Sequence, residues 1–244
     1  MKIIISPAKK MKESEFSFNI ETAPHFISES NLIRSKLMSF STEDLKEVYS
    51  CSDAIAKSAY SLLRKTYSVQ ALLAYDGIQY KYLSANTLKQ EELDYLSNNL
   101  FILSALYGAL KPTDLINFYR LELINNLLIE NKCLYEFRSN KVAQYIASFN
   151  EIIINLCSKE YSKLIEPFVN KDKFVNVYFY EKEGDKLVEK GVYAKMARGA
   201  MVKYLAKNQI SDMQDIKNFN DLGYKFDEKI SDLNNLKFVR FSNK

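Results

Sequence analysis

The segment Leu103–Leu123 (LSALYGALKPTDLINFYRLEL) decides the predicted fold of this 244-residue chain. Leucines recur at helical spacing through its first half. Gly108 and Pro112 then break the pattern, because glycine accepts a positive φ and proline starts a helix more readily than it continues one. Thr113 and Asp114 supply oxygens that cap a helix start. The spacing therefore predicts a helix, a tight hairpin and a second helix.

Composition limits the class of protein. Hydrophobic residues make up 47% of the chain, with 6 Gly and 4 Pro, which excludes a disordered protein. The net charge of +4 argues only weakly for an anionic partner. A single histidine and three widely spaced cysteines fit neither His-based catalysis nor a zinc or disulfide framework. No apolar run approaches the roughly 20 residues that span a bilayer. We expect a cytoplasmic protein with no metal site, cofactor or membrane contact.

Two β-branched runs, Ile3–Ile5 and Ile152–Asn155, predict buried strands. A short polar, cation-containing loop follows each run. If the two strands are neighbours, these loops share the edge of the sheet where α/β proteins commonly bind ligands. The alternative is a pair of solvated turns. The residues concerned are Ser6, Lys9, Lys10, Ser158 and Lys163.

The remaining pattern predicts a mixed α/β (α+β) fold, a mixed sheet flanked by helices, in one domain over residues 1–244. Ala71–Leu83 is typical of a hairpin that turns at Asp76-Gly77. A helix is predicted from the Ser41 cap to about Lys65. The other predicted elements are a helix at Leu88–Leu100, strands at Lys173–Tyr180 and Lys186–Tyr193, and a strand at Leu236–Phe241.

The segment Val192–Lys207 predicts a basic helix. No acidic residue occurs from Lys190 through Lys207, which contains five cations. Solvated helix faces usually mix both signs, so this run favours anion binding over plain surface. Gly199 lies on the basic face, where it weakens the helix by about 1 kcal/mol but leaves the backbone open to close approach.

Several short motifs together are similar to those of a known family. They are Ile5-Ser6-Pro7-Ala8-Lys9, Leu106-Tyr107-Gly108, Tyr119-Arg120-Leu121-Glu122, Glu160-Tyr161, Tyr193-Ala194-Lys195 and Ala197-Arg198-Gly199. In this order they resemble the peroxide stress protein YaaA family over nearly the whole chain. The resemblance implies an α/β domain with a basic cleft, DNA binding, and a cytoplasmic role in limiting peroxide damage and free iron. It also implies a helix-hairpin-helix element, for which Leu103–Leu123 is the candidate.

The first functional hypothesis is DNA binding with little sequence specificity, on duplex or on distorted and bubble forms. Cations would neutralise phosphates, and phosphate contacts position a protein without reading bases. Exposed tyrosines would stack on unpaired bases. No protein partner is predicted. The candidate DNA- or anion-binding residues are Ser6, Lys9, Lys10, Gly108, Lys111, Arg120, Lys163, Lys195, Arg198 and Lys203.

The second hypothesis is an enzyme that acts on a phosphorylated or other anionic small molecule, although the balance of the sequence favours a non-enzyme. Lys9 or Lys195 would act as nucleophile or electrostatic stabiliser, and Glu122 as acid or base. Arg120 and Arg198 would hold the anion. The alternative for Arg120 and Glu122 is a structural ion pair. Direct iron binding is the weakest hypothesis, because only scattered carboxylates could serve as ligands.

Overall fold

Our computed structural model describes residues 1–241, without the side chain of Ser139. The strands are β1 (Lys2–Ile5), β2 (Lys10–Met11), β3 (Ser68–Gln70), β4 (Tyr75–Asp76), β5 (Leu100–Ser104), β6 (Gly108–Leu110), β7 (Leu115–Asn117), β8 (Leu128–Ile129), β9 (Lys132–Cys133), β10 (Ile153–Leu156), β11 (Phe174–Glu183), β12 (Lys186–Val188), β13 (Lys225–Phe226) and β14 (Asn235–Phe241).

The strands are connected mainly through helices. The α-helices are α1 (Ile27–Met38), α2 (Thr42–Tyr49), α3 (Asp53–Leu63), α4 (Ala71–Ala74), α5 (Ile78–Leu83), α6 (Gln90–Asn99), α7 (Leu134–Ala147), α8 (Lys159–Ser162), α9 (Gly191–Lys207) and α10 (Met213–Ile216). Within residues 1–241, no helix is both long and apolar enough to cross a membrane.

An eight-stranded sheet forms the centre, in the order β13-β14-β11-β10-β1-β5-β6, with β12 paired to β11. Neighbouring strands from β14 to β5 run parallel, while β13, β12 and β6 pair antiparallel. Every residue of β1 and β10 is buried, as continuous apolar runs in a covered parallel sheet require. The predicted mixed α/β fold is confirmed.

The predicted neighbours β1 and β10 do lie side by side, with Ile3 paired to Ile154 and Ile5 to Leu156. The chain leaves β1 toward β5 on one side and leaves β10 toward β11 on the other. Connections that diverge in this way open a crevice at the carboxyl ends of the two strands, where α/β proteins bind ligands. The two polar loops identified in the sequence meet at this crevice.

The predicted helix-hairpin-helix at Leu103–Leu123 is wrong. The segment contains the end of β5, a tight turn into the antiparallel strand β6, and then β7, with no helix. Gly108 does adopt a positive φ of 76°, but as the first residue of β6. The Arg138 side chain donates to the Ala105 and Leu106 carbonyls in the turn, a contact from α7 that local spacing cannot reveal.

The predicted cap at Asp114 also has another use. Its carboxylate accepts hydrogen bonds from Lys111 N at 2.8 Å and from Thr22 Oγ1 at 2.6 Å. Asp114 thus closes a turn and joins it to the N-terminal segment. Turn-forming Asp is as compatible with the sequence as helix-capping Asp, because both use the same side-chain acceptor.

Three other predicted boundaries differ. Ala71–Leu83 is no hairpin: α4 and α5 flank the two-residue strand β4. Gly77 is extended, and its absent side chain accommodates Ala8, whose Cβ would lie 2.9 Å from a Cβ at this position. The helix predicted from Ser41 is divided at Ser50, which has a φ of 46°, although the Ser41 capping box is present. The strand predicted at Lys186–Tyr193 ends at Val188.

Gly199 lies in the middle of α9, against α5. A Cβ at this position would overlap the Gln79 carbonyl oxygen and lie 3.0 Å from Tyr82 Cβ. The close backbone approach expected from the sequence is therefore made by a neighbouring helix. Because no side chain separates the two backbones, Gly199 fixes the distance between α5 and α9.

Replacing Gly199 by Ala should destabilise the fold. We expect a net loss of about 1–3 kcal/mol in the free energy of unfolding, because forced overlap outweighs the better helix propensity of alanine. Urea denaturation of the purified variant measures the loss. Gly191→Ala, in the first turn of the same helix, is the matched control, since nothing lies within 4 Å of its Cβ position. Equal stability of the two variants would contradict this account.

Candidate functional site: a cation-rimmed cavity

A cavity of about 410 Å³ opens at the crevice between β1 and β10. Five separate parts of the chain form its wall: the loop after β1, the β4–α5 junction, the segment before Leu123, the start of α8, and α9. Its volume falls in the range of small-molecule sites. The lining residues are Ser6, Pro7, Ala8, Lys9, Lys10, Asp76, Gly77, Ile78, Gln79, Tyr80, Tyr119, Arg120, Leu121, Glu122, Ser158, Glu160, Tyr161, Lys195 and Arg198.

Hydrogen bonds hold the two loops of the crevice together. Ser158 N donates to Ser6 Oγ at 2.9 Å, and the two serine hydroxyls lie 3.2 Å apart. Tyr80, from α5, donates its hydroxyl to the Ser6 carbonyl oxygen at 2.9 Å. The pairing of Lys10 with Asp76 in the β2–β4 ladder fixes the far end of the first loop. The cavity wall is therefore preformed.

The charges of the cavity are mixed. Five cations line it, against three carboxyl groups. Lys9 pairs with Glu122 at 2.9 Å, and its side chain is 63% exposed. Arg198, which is only 9% exposed, donates to Glu189 at 2.7 Å. The three cavity cations with no carboxylate within 4 Å among residues 1–241 are Lys10, Arg120 and Lys195.

Two donors in the wall have no partner. Gln79 Nε2 and Arg198 Nε are buried without a hydrogen bond in the described part of the chain, and Gln79 is 6% exposed. A buried donor left unpaired costs about 1–3 kcal/mol, and native structures contain few. Glu160 Oε1 is a buried acceptor in the same condition. The residues that line the cavity thus include two buried donors and one buried acceptor without a partner in the described part of the chain.

Glu160 is also electrostatically unusual. Burial raises the pKa of its carboxyl group above its usual value of 4.5, and the nearby charge of Glu122 raises the pKa further. Lys9 and the backbone N–H groups of Leu123 and Ile124 oppose the change. A carboxyl group with a raised pKa retains its proton at a higher pH than an exposed one does. Burial therefore favours the protonated form of Glu160.

The cysteine nearest the cavity is shielded. Cys157 is 6% exposed, and burial raises the pKa of its thiol well above the usual range. The thiolate is the form that reacts with oxidants, so this environment makes Cys157 a poor peroxide sensor. It lines a neighbouring cavity of about 250 Å³ that shares Arg198 with the main one.

Eight of the residues singled out in the sequence line the main cavity together. They are Ser6, Lys9, Lys10, Arg120, Glu122, Ser158, Lys195 and Arg198. Glu122 pairs with Lys9, whereas the alternative considered in the sequence paired it with Arg120. The predicted basic face of α9 is also modified, because Arg198 is buried and pairs with Glu189. Lys190, just before the helix, pairs with Glu183 at 2.5 Å.

Four candidate anion-binding residues do not line the main cavity. Gly108 is buried in β6 against Phe26 and Val142, so it presents no hairpin to a DNA strand. Lys111 follows β6, on the opposite edge of the sheet from the crevice. Lys163 lines the smaller neighbouring cavity, and Lys203 donates to Thr87 Oγ1 at 3.2 Å.

The sequence did not single out Gln79 or Glu160 as functional. Gln79 lies inside the segment for which the sequence predicts a hairpin, and a glutamine there has no local signature. Glu160 belongs to the Glu160-Tyr161 motif, which gives it no role of its own. Its burial depends on tertiary contacts. Among the residues that the structure describes, no group of three or more His, Cys, Asp or Glu is placed to hold a metal ion.

Fold and site define a mixed α/β protein with a cation-rimmed cavity at the carboxyl edge of a largely parallel sheet. A family model described as "Peroxide stress protein YaaA" matches residues 1–230. The chain belongs to the peroxide stress protein YaaA family.

Relatives extend along almost the full length. A UPF0246 protein of Lachnoclostridium phytofermentans is 41% identical, covering 98% of this chain and 96% of the relative. One from Agathobacter rectalis is 41% identical over 95% of each chain. One from Lactiplantibacillus plantarum is 38% identical over 98% of this chain and 99% of the relative.

Replacing Glu160 by Gln should change how stability depends on pH. A raised pKa in the folded state means that the folded protein binds this proton more tightly, so wild-type stability falls as pH rises from about 4.5 through the folded pKa. The Glu160→Gln variant has no carboxyl group at this position, so its stability does not fall for this reason. Its free energy of unfolding relative to wild type should therefore increase with pH in that window, as measured by urea denaturation from pH 4 to 8. Parallel pH profiles would contradict the assignment.

Proposed function

We propose that this protein acts in peroxide stress by binding DNA, with little sequence specificity, across the mouth of the cavity. One observation carries the proposal: Lys10, Arg120 and Lys195 converge there from three distant segments, with no carboxylate within 4 Å in the described part of the chain. Unpaired cations at a common opening are suited to neutralise phosphates.

The charge balance supports weak specificity and moderate affinity. The cations exceed the carboxyl groups at the cavity only modestly, and the mouth cations are long, exposed or half-exposed side chains. Such contacts position a duplex without reading its sequence. A cytoplasmic protein bound in this way would cover DNA against oxidants formed with free iron. The proposal rests on the cavity mouth and needs no helix-hairpin-helix.

A second candidate function is an enzyme acting on a phosphorylated or other anionic small molecule. The Lys9–Glu122 pair at 2.9 Å and the raised pKa of Glu160 favour it. The 63% exposure of Lys9 counts against it, because catalytic lysines are commonly activated by burial. Glu122→Gln would abolish such turnover, whereas it would leave DNA binding intact or strengthen it by removing a negative charge.

Removing two mouth cations should weaken DNA binding in a salt-dependent way. For Lys10→Gln/Lys195→Gln we expect lower affinity for an intact duplex and a log K against log salt slope shallower by about two, since each lysine–phosphate contact contributes about one unit. Fluorescence anisotropy with a labelled duplex between 25 and 200 mM salt (roughly eightfold) measures both.

The control variant is Lys57→Gln/Lys132→Gln. It makes the same change in net charge at two exposed lysines that do not line the cavity. We expect nearly wild-type affinity and slope from it. If both double variants lose affinity equally, the binding reflects overall charge and the cavity mouth is not the DNA site.

A further inference from the structure

The unused hydrogen-bonding groups of the cavity call for a ligand with matching atoms. Gln79 Nε2 and Arg198 Nε are donors without a partner among the described residues, and both atoms are buried in residues that are 6% and 9% exposed. Glu160 Oε1 is a buried acceptor, also without a partner there. Since native proteins rarely leave such groups unsatisfied, the occupant must carry both acceptors and a donor.

The surroundings of these groups favour a flat ring. Tyr80, Tyr119 and Tyr161 are buried and line the same cavity, as do the apolar side chains of Ile78 and Leu121. Aromatic and apolar walls with a few polar atoms are the usual environment for a base held outside a helical stack. A volume of about 410 Å³ accommodates one nucleotide and excludes a base pair within a duplex.

Exposure increases toward the opening. Gln79 and Arg198 are buried, Arg120 is half-buried, and Lys10 and Lys195 are exposed. A neutral amide and a guanidinium already paired with Glu189 therefore lie inside, and the cations without a carboxylate partner lie at the mouth. A ligand with a neutral hydrogen-bonding ring at one end and a phosphate at the other matches this order.

We propose that the cavity binds a single nucleotide, with its base at Gln79, Arg198 and Glu160 and its phosphate at the mouth cations. This deepens the proposed function and rests on it where the nucleotide belongs to DNA. The same chemistry has two sources, an unpaired nucleotide of a DNA strand or a free mononucleotide. Gln79 and Arg198 are then the residues that select the base.

The test compares three probes by anisotropy or calorimetry at one salt concentration: an intact duplex, the same duplex with one unpaired nucleotide, prepared with each base, and free deoxynucleoside monophosphates. Wild-type protein should bind the best unpaired-nucleotide duplex about tenfold more tightly than the intact one, as expected for a few added hydrogen bonds. For Gln79→Met, the affinity for the duplex with an unpaired nucleotide should fall about fivefold to tenfold. Its affinity for the intact duplex should not change.

Two further variants keep the test decisive. Gln144→Met, at an exposed glutamine of α7, should change nothing. Arg198→Lys keeps the charge beside Glu189 but removes Nε, and it should reproduce the selective loss if Gln79→Met fails to fold. We expect Gln79→Met to melt no lower than wild type, because it removes an unpaired buried donor.

The possible outcomes separate the two sources and the two proposals. A Gln79-dependent affinity for free mononucleotides, without any gain from an unpaired nucleotide, would support the cavity and identify a free ligand. Equal binding of both duplexes, with no mononucleotide affinity, would overturn the inference. DNA binding across the mouth would still stand in that case if the salt series holds. If the wild-type protein binds free mononucleotides but neither duplex, the proposed DNA function is overturned and the nucleotide cavity stands.

Discussion

The backbone contact between α5 and α9 at Gly199 is the constraint on which the site depends. Because the Gln79 carbonyl oxygen occupies the space that a Cβ would need, the two helices lie at a distance that any other residue would increase. The same contact brings Gln79 and Arg198, on opposite helices, to one cavity wall. A glycine that weakens α9 locally thus determines the geometry of two functional candidates. Gly199 lowers the intrinsic stability of α9, but it lets α9 pack closely enough on α5 to form the cavity wall.

The central sheet positions the other part of the site, the two loops that follow β1 and β10. The sequence was sufficient to predict this part. Ile3–Ile5 and the run near Ile153 are short, continuous and β-branched, a pattern that a covered parallel strand produces through local chemistry. Ser6 and Ser158 follow directly, so strand adjacency alone was enough to bring their hydroxyls within 3.2 Å. Strand identity and the polar residue after it are local properties, which is why they could be predicted.

Turns and charge pairing could not be predicted in the same way. Gly108 begins a strand because Arg138, thirty residues on, satisfies carbonyls in the preceding turn. Gly77 permits the approach of Ala8, and the sequence offers no sign of that neighbour. Likewise, the run of five cations around α9 is less basic in the fold, because Glu183 and Glu189 from preceding segments neutralise two of them. In each of these cases, the structure depends on a residue that lies outside the local sequence pattern from which the prediction was made.

The ion pairs also clarify what the site can select. Lys9 and Arg198 already have carboxylate partners, so their charges attract an incoming anion less than a count of cations implies. Attraction from a distance falls to Lys10, Arg120 and Lys195 at the mouth. In the proposed nucleotide complex, discrimination falls to buried groups that gain a partner only when a fitting ligand enters, because an unsatisfied donor penalises every ligand that lacks an acceptor. The proposed function thus assigns capture and selection to different residues, a division that net charge alone would not reveal.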